Sequence, residues 1–485
     1  MPHHEAARGP FAVASHFRDD FFDCLTVRGD ALFELTDALL CKDGAVTAPV
    51  DLTLTAEHRH GHGHGAMYSA LNRGEIDVPR LRQVLAGLPL SAQAADGRLV
   101  LALDVTHWPR PDAPTGPDRL FCHVYGRGGR SSDQLVPGWP CSFVAALESG
   151  RTSWCRLLDA VRLGPADDVA GASAAQVRRI VEDLVDKGRW KRGDRDILVV
   201  FDVGYDAPRM AHLLTGLPVD VLERMRTDRV MRRPAPSLEE YALACPRGGR
   251  PPKHGKELRF ARPETWGESD AATVQVTGYY GTARAMAWDR IHPRLTTRSA
   301  WIGHTTELPV IEGTQIRLQV DRLPGGNDPL PVWLWSSATG LTGNDIDLRW
   351  LAFLRRCDLE HTFRMIEQTL GWTRPKLRTP AAADRWTWLV IAAHPQLRLL
   401  REAAADLRHP WERPAQPGRL TPACVRRGFG DLRPHLACPA RAPKPSRPGP
   451  GRPPGSRNRH PATRHDVGKT VRRPESIAEL SGAGG

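Results

Sequence analysis

Two short apolar runs that each end in a carboxylate constrain this chain more than any other feature. Arg98 to Asp104 and Asp196 to Asp202 each hold five consecutive apolar side chains and then an Asp. Runs this short and unbroken, with no helical period, predict strands buried on both faces. An Asp at the end of such a strand stands on a rigid edge, where it is either a turn or cap residue or a ligand held in place by the sheet.

The segments around these runs extend the pattern. His123 to Gly126 and Val136 to Leu147 read as two further strands between Gly-rich turns, and Ser173 to Lys187 reads as an amphipathic helix with Val177, Ile180, Val181 and Leu184 on one face. The expected order is three strands, a helix and a fourth strand, with Asp104 and Asp202 ending the first and the fourth. Before this region, residues 16–98 carry helical periods. After it, 206–344 holds β-rich stretches punctuated by Pro and Gly. Asn344 to Gly371 is the strongest helical pattern in the chain, and Arg385 to Ala405 is a second helix able to pack against it.

The fold class expected is α/β: a mixed sheet flanked by helices, interrupted by a β-rich insertion, after an all-α N-terminal domain and before a disordered basic tail. The boundaries read as 1–98 for an N-terminal helical DNA-binding domain, 99–205 for the first part of the core and 206–344 for the insertion. Residues 345–408 then form the second part of the core and 409–485 the tail. A chain of 485 residues is long enough for two or three such units.

Charge is concentrated at one end. Of the net +12, residues 411–485 supply +10, with 15 Lys and Arg against 5 Asp and Glu. A polycationic tail on a balanced body suits a phosphate-bearing partner, nucleic acid or an anionic membrane surface. No apolar run of 18 residues is present to span a bilayer, and Met1 to Ser15 lacks the cationic start and apolar stretch of a secretory leader, so the expected location is the cytoplasm, in association with the nucleoid. Nine cysteines are scattered without a C-x-x-C pair, which argues for reduced, mostly buried thiols and against structural zinc. Four histidines alternate with Arg or Gly between Glu57 and Gly65. They could take a transition metal, but no carboxylate or Cys fixes a geometry there, and a mobile loop facing DNA is the preferred reading.

The acidic residues point to a chemistry. Phosphodiester cleavage without a covalent protein intermediate is commonly achieved by two divalent ions held by a few carboxylates, and hard ions such as Mg²⁺ favour oxygen ligands. Asp104 and Asp202 suit that role. A third carboxylate comes from the long helix, where Phe353, Arg356, Glu360, Phe363 and Glu367 recur at three- and four-residue steps and share one broad face. An Arg one turn before a Glu is ordinarily a surface ion pair. The functional alternative has Glu360 facing the metals and Arg356 meeting a DNA phosphate.

The spacing Phe353-x2-Arg356-x3-Glu360-x6-Glu367 resembles the Tyr-x2-Arg-x3-Glu-x6-Lys signature of DDE transposases from a large group of bacterial insertion sequences. Leu101 to Thr106 and Val200 to Tyr205 are similar to the segments that carry the first and second Asp of that group, and the β-rich insertion lies where that group places one. The resemblance implies an RNase H-like core, a catalytic and metal-binding triad of Asp104, Asp202 and Glu360, and two Mg²⁺ ions with Mn²⁺ as a substitute. It also implies double-stranded DNA partners, both the element's terminal repeats and target DNA, bound by a homo-oligomer. Phe353 stands for the signature Tyr and Glu367 for the Lys, which reverses a charge.

Further DNA contacts are expected from the loop cations Arg247, Arg250, Lys253 and Lys256, and from Arg452, Arg457 and Arg459 in the tail. Gly451-Arg452-Pro453 is similar to the core of an AT-hook, an extended segment whose Arg can enter a narrow minor groove. The rival readings are a catalytically inactive DNA-binding protein derived from a transposase, and another metal nuclease with the same core.

Overall fold

The computed structural model describes residues 9–55, 64–90, 94–112, 116–124, 134–148, 153–298, 301–323, 329–412, 414, 419–440 and 463–467. Among the described residues the chain opens with the α-helices α1 (Pro10–Asp23), α2 (Gly29–Cys41), α3 (His64–Arg73) and α4 (Val78–Gly87). Then come β1 (Val100–Pro109), β2 (Leu120–Val124), β3 (Gln134–Leu147), β4 (Cys155–Arg162), α5 (Val169–Asp186) and β5 (Ile197–Phe201). The helix α6 (Ala207–Leu213) leads to β6 (Val219–Met225), β7 (Val230–Arg232), α7 (Leu238–Ala244) and β8 (Glu257–Arg259). The strands β9 (Ala271–Thr277), β10 (Gly281–Ile291), β11 (Gly313–Val320) and β12 (Val332–Ser336) follow. Helices α8 (Gly343–Arg355), α9 (Cys357–Arg364), α10 (Pro380–Leu399), α11 (Pro422–Arg427) and α12 (Phe429–Leu432) end the order.

One ten-stranded mixed sheet organises the molecule, in the order β2-β3-β1-β5-β6-β12-β11-β10-β9, with β4 paired to β3. β1 runs parallel to β5, and β5 parallel to β6, whereas β3 is antiparallel to β1. Along β1 the side chains alternate between two cores. Leu101 and Leu103 face α5 and α6, where they meet Val177, Ile180 and Met210. Val100 and Ala102 face the opposite side, which α8, α9, α10 and the N-terminal helices cover. The two-faced burial read from the apolar runs is what this structure contains.

Several expectations change. Among the described residues four strands precede α5, not three: β4 shows no unbroken apolar run because Cys155 to Arg162 mixes Arg and Asp into its apolar positions, and these are satisfied by pairing, as Asp159 is by Arg82 at 2.6 Å. The stretch 206–344 does not stand apart as an insertion with its own sheet. β6 joins the core sheet beside β5, and β12, β11, β10 and β9 continue outward from it; only β7 and β8 pair separately. The N-terminal helices likewise share one core with α10 and the sheet. Arg18 in α1 donates to Asp37 in α2 at 2.5 and 2.9 Å and to Gln396 in α10 at 2.8 Å, so a buried charge network joins the first helices to a late one.

The beginning of the tail is also folded. Residues 419–440 bury Val425 and Phe429 completely, and Arg426 donates to the backbone carbonyls of Leu39 and Gly44. Arginines spent as donors to buried carbonyls look in a sequence like arginines destined for phosphate. Residues 57–63 of the His-rich stretch and 441–462 of the tail lie outside the described residues. The cysteines are free, with Cys24, Cys122, Cys141 and Cys155 buried and Cys357 and Cys438 exposed, so fewer are buried than the sequence suggested. No described helix is long and apolar enough to cross a membrane.

Candidate active site

The parallel register of β1 and β5 ends at Leu103 opposite Phe201. The next residue on each strand is Asp104 and Asp202, so both carboxylates leave the sheet at the same edge. Asp104 is not the last residue of its strand: β1 continues to Pro109 by pairing with β3 alone. Strand alternation turns both Asp side chains to the face that carries Val100 and Ala102, away from α5.

The helical segment above that face supplies the third carboxylate. Thr342 opens α8 with a capping box, its hydroxyl accepting from Asp345 N–H while the Asp345 carboxylate accepts from Thr342 N–H. The helix the sequence predicted to be continuous breaks at Arg356, where hydrogen bonds span three residues: Arg356 N–H to Phe353 O at 3.0 Å and Leu359 N–H to Arg356 O at 2.9 Å. After α9, residues Met365–Thr369 form a π turn. It carries Glu367, whose Oε1 accepts from the Thr106 hydroxyl at 2.8 Å, two residues along β1 from Asp104.

The centre of this arrangement is a cation. Arg356 Nη1 donates to Asp104 Oδ2 at 2.8 Å, and Nη2 lies 2.8 Å from Glu360 Oε1 and 3.0 Å from Asp202 Oδ2. Three carboxylates from β1, the end of β5 and α9 therefore converge on one guanidinium. Arg356 is only 6% exposed, while the three carboxylates around it are partly exposed, so its ion pair with Glu360 is one arm of a four-residue cluster and not an isolated pair at the surface.

The electrostatics follow from burial. Burial pushes the Asp104 carboxyl up to about 6, opposed by Arg356 and by the Val105 N–H it accepts from, and reinforced by Asp202 and Glu360. For Arg356 burial works against the charge, yet its pKa lies above the ordinary value because Asp202, Asp104 and Glu360 surround it. Asp202 Oδ1 is buried without a hydrogen-bond partner, with Arg224 Nη1 4.0 Å away.

Hard oxygen donors from three carboxylates, one of them with an unpartnered buried oxygen, are the donor set a divalent ion of the Mg²⁺ type takes. Among the described residues no group of three or more His, Cys, Asp or Glu side chains is arranged to hold a metal ion as it stands. The carboxylates of the cluster are spread around a guanidinium, and an ion would have to take its place.

The remaining residues singled out in the sequence lie elsewhere. Arg247, Arg250, Lys253 and Lys256 are exposed in the loop between α7 and β8. Lys253 is engaged there with Glu307 and the Leu308 carbonyl, both at 2.7 Å. Arg452, Arg457 and Arg459 fall outside the described residues. One acidic residue escaped the sequence reading: Glu223 on β6, paired with Phe201 in register and 1% exposed. Burial holds its carboxyl well above the usual range, helped by Asp206 and Asp202 and opposed by Arg229. A Glu inside a β-type run is the trace it leaves in the sequence, hidden once 206–344 is assigned to a separate insertion.

Comparison with known proteins bears on the same residues. The family model described as DDE superfamily endonuclease matches residues 20–294, which include Asp104 and Asp202 and stop before Arg356 and Glu360. No curated protein matches the chain. Because the matched segment spans more than half of the sequence and contains both strand carboxylates, the chain belongs to the DDE superfamily of endonucleases.

Proposed function

We propose that this protein is a DNA transposase that cleaves the ends of an insertion sequence and joins the freed 3′-hydroxyls to target DNA. The observation that carries the reading is the convergence of Asp104, Asp202 and Glu360 on a single point. In this reading the three carboxylates hold divalent ions, Mg²⁺ or Mn²⁺, which when bound supply the Lewis acidity that activates an attacking oxygen and stabilises a leaving one.

The chain's own contribution is placement and charge. Asp104 and Asp202 sit at a sheet edge whose strands are packed on both faces, so neither has to be ordered when DNA arrives. Arg356 offsets part of the cluster's negative charge in the DNA-free protein; released from the carboxylates, its fork of donors suits a strand phosphate. The exposed Arg247, Arg250 and Lys256, with the tail arginines Arg452, Arg457 and Arg459, add sequence-independent attraction to the duplex. Glu367 stands beside this centre where the signature has a Lys, so a strand contact from that position is replaced by an internal one with Thr106. The DNA complex would be a homo-oligomer that brings two element ends together.

The test uses the full chain and DNA carrying the inverted repeats that flank its reading frame. Asp104→Asn, Asp202→Asn and Glu360→Gln are each expected to lower Mn²⁺-dependent cleavage by at least about a thousandfold while end binding in a gel-shift assay stays within a fewfold. Cleavage retained by any one variant removes that residue from the site. Wild-type protein that binds the ends but never cleaves them with either metal supports the rival reading of an inactive DNA-binding descendant.

A further inference from the structure

At the C-terminal end of β5 and β6, immediately beyond Asp202, a cavity of about 450 Å³ opens between residues 203–208, the β6–β7 turn and the segment after β10. Its lining includes five arginines, Arg224, Arg226, Arg229, Arg294 and Arg298. Ligands of sheets with parallel strands commonly lie outside the carboxyl ends of those strands, which is where this cavity sits.

The charge of the cavity is not balanced from within. Arg226, Arg229, Arg294 and Arg298 are exposed and make no ion pair within 4 Å among the described residues, while Arg224 reaches only to Asp202 at 4.0 Å. Two carboxyls line the same space. Asp206 is turned to the first turn of α6, where it accepts from Arg209 N–H. Glu223 is 1% exposed, with its Oε2 unpartnered. Like charges gathered around one concavity repel unless an anion joins them. Guanidinium forks match the oxygens of a phosphate.

A phosphate at the end of a strand fits better than one within it. A phosphate monoester carries nearly two negative charges and three acceptor oxygens. An internal diester carries one charge and two free oxygens, and its strand must continue in both directions. Glu223 and Met231, both buried, line the cavity, and a terminal group can enter it without its strand having to continue past them. Asp202 links the two places, since it bonds Arg356 on one side and faces Arg224 on the other.

We propose that this arginine-lined cavity is a subsite for the terminal phosphate of a DNA strand end lying beside the Asp104–Asp202–Glu360 cluster. The inference rests on the DNA-processing reading given above. It adds a place where one end of a cut strand is held while the other end reacts.

The experiment measures binding of the full chain, without added metal, to short duplexes that differ only at one terminus: 5′-hydroxyl, 5′-phosphate or 3′-phosphate. Wild-type protein is expected to bind one phosphorylated form about tenfold more tightly than its unphosphorylated counterpart, and the preferred form identifies which strand end is held. In an Arg229→Ala/Arg294→Ala variant that preference should disappear while binding of the hydroxyl-ended duplex stays within about threefold. Both residues are exposed, and an unchanged Tm verifies that the fold is intact. Inorganic pyrophosphate should compete with the phosphorylated duplex for the wild type only. Equal binding of phosphorylated and unphosphorylated ends, or a preference that survives in the variant, overturns the subsite and leaves the wider reading standing. Wild-type protein that binds no duplex of any kind overturns both.

Discussion

Nη1 of Arg356 lies 2.8 Å from Oδ2 of Asp104, across 252 residues of chain. With Asp202 and Glu360 on the other arm, this guanidinium holds the cluster together and also stands where a metal ion would have to enter. The two roles lead to opposite effects of removing it. Arg356→Gln should lower the stability of the metal-free protein by about 1–3 kcal/mol, because three carboxylates lose a common partner. The same change should raise Mn²⁺ affinity about tenfold, because the ion no longer competes with a cation. Thermal unfolding with and without Mn²⁺ reads both, and a variant whose Mn²⁺ affinity equals that of the wild type would show that the guanidinium does not obstruct the site.

Asp104 makes ion binding depend on pH. Its folded carboxyl, pushed up mainly by burial, titrates at about 6 against 3.8 for an unperturbed Asp. The folded chain therefore holds this proton more tightly than the unfolded chain does. That contribution to stability is complete below pH about 4 and is lost as pH rises through about 6. A divalent ion needs the deprotonated form, so its affinity should be full above pH about 6 and fall about tenfold per unit below it. Manganese titrations followed by electron paramagnetic resonance between pH about 5 and 7.5 measure this, and a flat profile would exclude Asp104 as a ligand.

The Arg18–Asp37 pair is structural. Both side chains are buried, at 0% and 2% exposure, and Arg433 also donates to Asp37 at 3.1 Å. Asp37→Ala leaves Arg18 charged and enclosed, and should cost about 3–5 kcal/mol in urea unfolding. A loss below about 1 kcal/mol would mean that α1 can move aside without disturbing the core.

Two truncations separate the folded and the basic parts of the C-terminal region. Ending the chain at residue 440 should leave Tm within a few degrees of the full chain, while the slope of log affinity against log salt falls by about 0.9 for each phosphate contact removed. Ending it at residue 408 removes Val425, Phe429 and the Arg426 bonds to Leu39 and Gly44, and should destabilise the whole molecule. An unchanged salt slope in the first case would show that the tail arginines do not meet DNA. An unchanged Tm in the second would show that residues 419–440 add little to the core.

The amino-acid sequence by itself determined the strands that carry Asp104 and Asp202 and the helical segment that carries Glu360, because unbroken apolar runs and three-to-four-residue periods record which side chains leave water. It did not determine the partners those elements find. That β6 and β9 to β12 extend the core sheet depends on backbone hydrogen bonds between segments up to about a hundred residues apart, which leave no periodic trace. The break in the helix at Arg356 is equally invisible, since one turn of three-residue hydrogen bonds hardly disturbs a 3.6-residue period. Only the folded molecule turns Arg356 inward, because its charge becomes tolerable in the interior once three carboxylates from separate elements have been brought around it.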